Sequence, residues 1–145
     1  MNQQLITKVN EQLANWSVLF TKLHNYHWYV KGEQFFTLHA KFEELYGEAA
    51  VQIDEIAERI LAIKGTPVAT MTEYLQLATV KEATRTETAE EMVASVADDF
   101  ERMVLEMNEI IELAEGGNDE PTADMFIALK ANLEKHAWML RAFNR

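Results

Sequence analysis

Leu5, Val9, Leu13, Trp16, Phe20, Leu23, His27 and Val30 recur at steps of three and four, the repeat of a helix that buries one face. Gly32 ends that run. A second run, Leu38, Phe42, Leu45, Ala49, Ile53, Ile56, Ile60 and Ile63, closes at Lys64-Gly65 with Pro67 beyond, residues that stop a helix. A third opens on a capping-box pattern, Thr88 with Glu91 three residues later. It carries Val93, Val96, Phe100, Met103, Met107, Ile110 and Ala114 and stops at Gly116-Gly117. The fourth begins near Asp119 and Pro121 and carries Phe126, Leu129, Leu133, His136, Leu140 and Phe143.

Short links after the first and third runs make two antiparallel hairpins, while residues 65 to 87 form one long crossover between them. That connectivity predicts an all-α, ferritin-like four-helix bundle spanning residues 1–145 as a single domain. A link this long rarely stays structureless, so Thr70, Met71, Tyr74 and Leu75 are expected to form a short extra helix. Composition agrees: 48% of the 145 residues are apolar, enough for a core, and five Gly with two Pro leave little material for an all-β fold.

The formal charge of −11 and a pI near 4.8 give a surface that attracts cations and repels nucleic-acid phosphates. Lys8 near the start and Arg141 and Arg145 near the end are too few to make a DNA-binding arm, so tight DNA binding is not expected. With no cysteine, any metal must be held by His, Asp or Glu, and a reducing cytoplasm suits the chain. Neither an export signal nor a run of about 20 apolar residues is present, so a cytoplasmic protein without a membrane anchor is expected.

On the second helix His39 and Glu43 are four apart, as are Asp54 and Glu58, and all four fall near one stripe with Tyr46, Ala50 and Leu61. The stripe is rotated away from the core positions, as a surface that meets another subunit would be. Glu43 and Asp54 are separated by ~16 Å of helix rise, too far to share an ion held at about 2 Å. Two copies about a two-fold axis solve this, since Asp54 and Glu58 of one chain then face His39 and Glu43 of the other. The turn after Gly32 brings His27 beside His39 as a second imidazole. Two His with three carboxylates suit Fe(II), Mn(II) or Zn(II), and the oxygen ligands favour Fe(III) once formed.

Other residues have competing readings. His136, in an apolar seam, reads as a core residue without carboxylates on its face. His24 admits the roles of ligand, support behind the ligands, or surface residue, and Trp28 those of packing residue or electron donor beside the centre. Glu44, Glu48 and Glu55 form a neighbouring carboxylate stripe that serves either mineral-forming iron or solvation. No Glu is followed three residues later by His, so the in-bundle motif of larger di-iron carboxylate bundles is absent.

The run Leu23-His24-Asn25-Tyr26-His27-Trp28-Tyr29-Val30-Lys31-Gly32, with Phe35-Phe36-Thr37-Leu38-His39, resembles the Dps family of mini-ferritins. Asp54-Glu55-Ile56-Ala57-Glu58-Arg59, Thr70-Met71-Thr72-Glu73-Tyr74-Leu75 and Lys135-His136-Ala137-Trp138-Met139 extend the resemblance over nearly the whole chain. It implies a twelve-subunit cage that oxidises Fe(II), preferably with hydrogen peroxide, and stores ferric mineral, protecting against oxidative damage. It also implies His27 and His39 from one chain acting with Asp54 and Glu58 from its two-fold partner. Position 43 departs from the family's usual Asp, the longer Glu43 carboxylate shifting the second iron position. The family's acidic pore at the three-fold axis matches Asp119 and Asp124, with Glu120 a weaker match; Asp119 reads equally well as a helix N-cap. Two rival readings are a structural or DNA-associated cage with metal cementing its two-fold interface, and a bundle that sequesters zinc without turnover.

Overall fold

Asn2 opens the first helix by accepting the Leu5 N–H on its side-chain Oδ1 at 3.1 Å. The computed structural model describes residues 2–144 and places five helices in order: α1 (Gln3–Tyr29), α2 (Phe35–Ala62), α3 (Met71–Leu77), α4 (Ala89–Gly116) and α5 (Glu120–Phe143). α1 packs along α2 and α4 along α5, and α1 also meets α4 and α3. The predicted stripes are the core: Leu13, Trp16, Phe42, Ile56, Phe100, Phe126 and Leu133 are buried, whereas Phe20, Ile53, Ile63 and Phe143 are partly so. The expected capping box is present, with Glu91 N–H on Thr88 Oγ1 at 3.1 Å and Thr88 N–H on Glu91 Oε1 at 2.9 Å. Thr70 caps the short crossover helix α3, its Oγ1 accepting the Glu73 N–H at 3.2 Å while Glu73 Oε1 accepts the Ala69 N–H at 3.0 Å.

Two helix ends differ in detail from the glycine stops read in the sequence. After α2 the left-handed residue is Lys64 (φ 71°), and the Gly65 N–H returns to Ile60 O at 2.8 Å. Gly65 is needed for closeness: a Cβ there would lie 2.9 Å from methyl carbons of both Ile6 and Ile60. After α4 the left-handed position is Asn118 (φ 59°), an amide side chain that tolerates this conformation, and the Asp119 N–H closes on Ala114 O at 2.8 Å.

Polar residues of α1, unremarkable in the sequence, fasten the crossover. Buried Asn15 accepts the Thr79 N–H at 2.7 Å and the Val80 N–H at 3.3 Å, and donates to Thr79 Oγ1 and to Glu106 Oε1, both at 3.0 Å. Asn10 donates to Thr66 O at 3.1 Å and accepts from the Val68 N–H at 2.9 Å. At the crossover's far end, the Tyr26 hydroxyl donates to Glu87 at 2.7 Å. A buried ion pair, Lys22 to Asp99 at 2.7 Å, ties α1 to α4. Among the described residues no helix is long and apolar enough to cross a membrane.

Candidate metal centre

The link between α1 and α2 is short because Gly32 takes a positive φ (110°), letting the Phe35 N–H reach Gly32 O at 3.1 Å. This turn lays the start of α2 against the end of α1 and brings His27 and His39 face to face, ring centroids 3.7 Å apart and planes 13° from parallel. Each imidazole uses Nδ1 on the other residue's backbone: His27 Nδ1 is 2.6 Å from His39 O, and His39 Nδ1 is 2.7 Å from His27 O. A carbonyl oxygen only accepts, so both Nδ1 atoms carry a proton, and in the neutral imidazole that tautomer leaves Nε2 as the lone-pair donor. His27 O lies in the last turn of α1, where carbonyls lack helical partners, so His39 also serves as a cap.

Glu43, one turn beyond His39, brings Oε1 to 3.9 Å from His27 Nε2. His27 is 7% exposed, whereas the Glu43 side chain is 61% exposed, so the donors run from the bundle's edge outward to its surface. Asp54 and Glu58, also on α2 and exposed, lie too far along the helix to join them. Among the described residues no three His, Cys, Asp or Glu side chains of this single chain gather around one point. The predicted ligands therefore fall into two groups, His27 with His39 and Glu43, and Asp54 with Glu58, on a face where Ala50, Val51, Leu61 and Trp28 are exposed.

Tyr46, placed by the spacing on the stripe of His39 and Glu43, makes aromatic contacts that the spacing did not foretell. Its ring stacks on His24 at 3.8 Å and 16°, and stands edge-on to His27 at 5.3 Å and 86°. His24 Nδ1 bonds to Phe20 O at 2.7 Å and its ring lies 5.3 Å from the exposed Trp28, which places His24 behind the pair as part of an aromatic wall. The usable signal was the seven-residue step from His39 to Tyr46, two helical turns along one stripe.

The remaining candidates are dispersed. Glu44 is exposed and pairs with Lys41 at 3.4 Å, and Glu55 is exposed on the same flank. Glu48 reaches across to buried His136, so that histidine does have a carboxylate beside it, supplied by α2 rather than by its own helix. Asp119 caps α5 through the Thr122 N–H at 3.1 Å and binds Arg59 at 2.9 Å. Burial works against its charge, but the Thr122 hydrogen bonds and Arg59 outweigh it and hold the carboxyl below its ordinary range. Glu120 and Asp124 are exposed.

The ferritin-like domain family matches residues 6–145. A DNA protection during starvation protein 2 of Bacillus anthracis is 60% identical over 143 residues, covering 99% of this chain and 98% of that one. The crystal structure of a Dps protein from Bacillus brevis superposes with a TM-score of 0.98 at 52% identity, covering 99% of this chain and 97% of that one. A Dps protein from Vibrio cholerae, described as a member of a broad superfamily of ferritin-like diiron-carboxylate proteins, superposes with a TM-score of 0.95 at 35% identity, over 99% and 91% of the two chains.

Proposed function

Because the chain belongs to the Dps mini-ferritins of the ferritin-like family, we propose that it is a ferroxidase that oxidises Fe(II) with hydrogen peroxide and stores the ferric product. The catalytic centres are shared across a two-fold contact between copies of the chain, within a twelve-subunit cage in the cytoplasm. The observation that carries this reading is the reciprocal His27–His39 lock, which holds two imidazole Nε2 lone pairs beside the Glu43 carboxylate on an exposed face.

In this reading His27 and His39 of one chain and Asp54 and Glu58 of the partner chain hold the first substrate Fe(II), and Glu43 helps to hold a second. The imidazoles retain the ferrous ion, and the three carboxylates favour the ferric ion as charge builds. Two ferrous ions each give up one electron, peroxide takes both, its O–O bond breaks, and two protons complete two waters. Ferric ions then leave toward carboxylates such as Glu44, Glu48 and Glu55, and Asp119 and Asp124 flank the route by which Fe(II) arrives. Zn(II) suits the same donors and competes for them. With a charge of −11 per chain, protection comes from consuming iron and peroxide together rather than from coating DNA.

The test is the ferric absorbance rise when peroxide is added to protein loaded anaerobically with Fe(II), measured beside air and a protein-free control. Fast oxidation with peroxide, the iron staying soluble and bound, is expected, and His39→Ala combined with Asp54→Ala should bring the rate down to the control while the assembly persists. An unchanged rate in that double variant would mean that the ligands are elsewhere.

A further inference from the structure

The two imidazoles of the His27–His39 pair are not held by their hydrogen bonds alone. His39 stacks in turn on Phe35, the first residue of α2, with centroids 5.0 Å apart and planes 21° from parallel. His27, at the other end of this stack, meets the ring of Tyr46 at 5.3 Å and 86°. Tyr46 is half-buried against the core and is itself gripped: His24 stacks on it at 3.8 Å, and Phe20 stands edge-on to it at 6.2 Å and 84°. His24 is fixed by Phe20, through the backbone carbonyl 2.7 Å from Nδ1 and through a ring contact at 4.6 Å and 71°.

These rings supply what the hydrogen bond lacks. An N–H···O bond weakens steeply only below about 120°, so the bond from His27 Nδ1 to His39 O tolerates a considerable tilt of the imidazole. Nε2 lies on the far side of the ring from Cβ, where a tilt moves it most. A metal ligand has to be held within about 0.5 Å and 10–20° of its working geometry, closer than the bond alone ensures. Tyr46, perpendicular to the imidazole and backed by two rings from α1, stands against that tilt, and an edge-to-face pair at this spacing attracts as well as obstructs.

We propose that Tyr46 is a positioning residue of the candidate centre: it fixes the plane of the His27 imidazole and so aims Nε2, with His24 and Phe20 holding Tyr46 in place. The inference rests on the reading of His27 as a metal ligand. It assigns His24 to the support of the centre and not to its ligands, and it makes the His27 donor one that is oriented before an ion arrives. The contacts that do this are ring contacts, so the Tyr46 hydroxyl is dispensable.

Crystal structures of metal-free Tyr46→Ala, Tyr46→Leu and Tyr46→Phe test the positioning directly. Tyr46→Ala removes the ring, and Tyr46→Leu keeps apolar bulk at this half-buried position should the smaller side chain fail to fold. In both, the His27 ring should turn away from His39 O or occupy two rotamers, while Tyr46→Phe should hold it as in the parent. An absorption titration with Co(II) reads the consequence. Affinity at the centre should fall at least about tenfold in Tyr46→Ala and Tyr46→Leu and recover to within about twofold of the parent in Tyr46→Phe, with helicity and assembly unchanged. A His27 ring that keeps its place in Tyr46→Ala or Tyr46→Leu, or one that is as loose in Tyr46→Phe, overturns the assignment. Failure of the parent protein to bind Co(II) there would instead overturn the ferroxidase reading, the metal-free structures still deciding the role of Tyr46.

Discussion

At the scale of single residues, the chain sets chemistry by choosing which atom of a side chain is already occupied. His27 and His39 spend Nδ1 on each other's backbone and leave Nε2 for a metal, so their tautomers are fixed before any ion arrives. The same logic holds at Glu87. Burial disfavours its charge, but hydrogen bonds from the Tyr26 hydroxyl and from Thr84 outweigh that and pull the carboxyl down to about 2. A carboxyl lowered on folding stabilises the protein above its ordinary value of 4.5, and the contribution is lost as pH falls toward about 2. Thermal melting of Glu87→Gln should therefore begin lower than the parent near neutral pH, the gap narrowing below pH 4.5 and closing near 2. A gap that persists undiminished at the acid end contradicts this role. Residues of this kind were the least legible in the sequence, because Glu87, Lys22 and Asp99 look like ordinary surface charges until partners distant in the chain are known. His39 and Glu43 were legible because a helix makes their four-residue spacing a spatial fact, and His27 beside them because of the turn after Gly32, whereas the exchange of Nδ1 hydrogen bonds between the two histidines was not.

At the scale of elements, apolar periodicity foretold the four long helices, and a short helix around Thr70, Met71, Tyr74 and Leu75 followed from crossover length, with Thr70 found to be its cap rather than part of it. What periodicity does not reveal is how the crossover is held. Asn10 and Asn15 occupy core-facing positions of α1 and supply hydrogen bonds that strand or helix partners would otherwise provide to residues 66–80. Asn15→Ala should leave the Thr79 and Val80 N–H groups without partners and cost about 3 kcal/mol. Hydrogen exchange checks it directly: amides at Thr79 and Val80 lose protection while those in the middle of α2 and α5 keep theirs, and unchanged protection at Thr79 would contradict the account. The helix ends carry a related lesson. Glycine marked the stops at 65 and 116–117, but Lys64 and Asn118 adopt the left-handed turns, and Gly65 is small because α1 and α2 nearly touch there.

At the scale of the whole molecule, charge and ligand placement decide what the protein meets. A chain of charge −11 with few cationic residues at its described ends should not retain duplex DNA in a gel at physiological ionic strength, and retention that disappears with added salt would contradict this. The α1–α2 face carries the two groups of proposed ligands, His27, His39 and Glu43 at one end and Asp54 and Glu58 farther along, with Leu61 and Val51 exposed among them. The helix rise read from sequence already forbade a single-chain centre, and in the proposed reading two-fold pairing completes it twice per dimer. The most direct measurement is peroxide-driven Fe(II) oxidation by cages assembled from an equal mixture of His39→Ala and Asp54→Ala chains, each inactive alone. Every mixed pair then contains one intact centre and one doubly broken, so random assembly should restore about one quarter of the parent rate. A rate no higher than that of either variant alone would contradict a centre shared between chains.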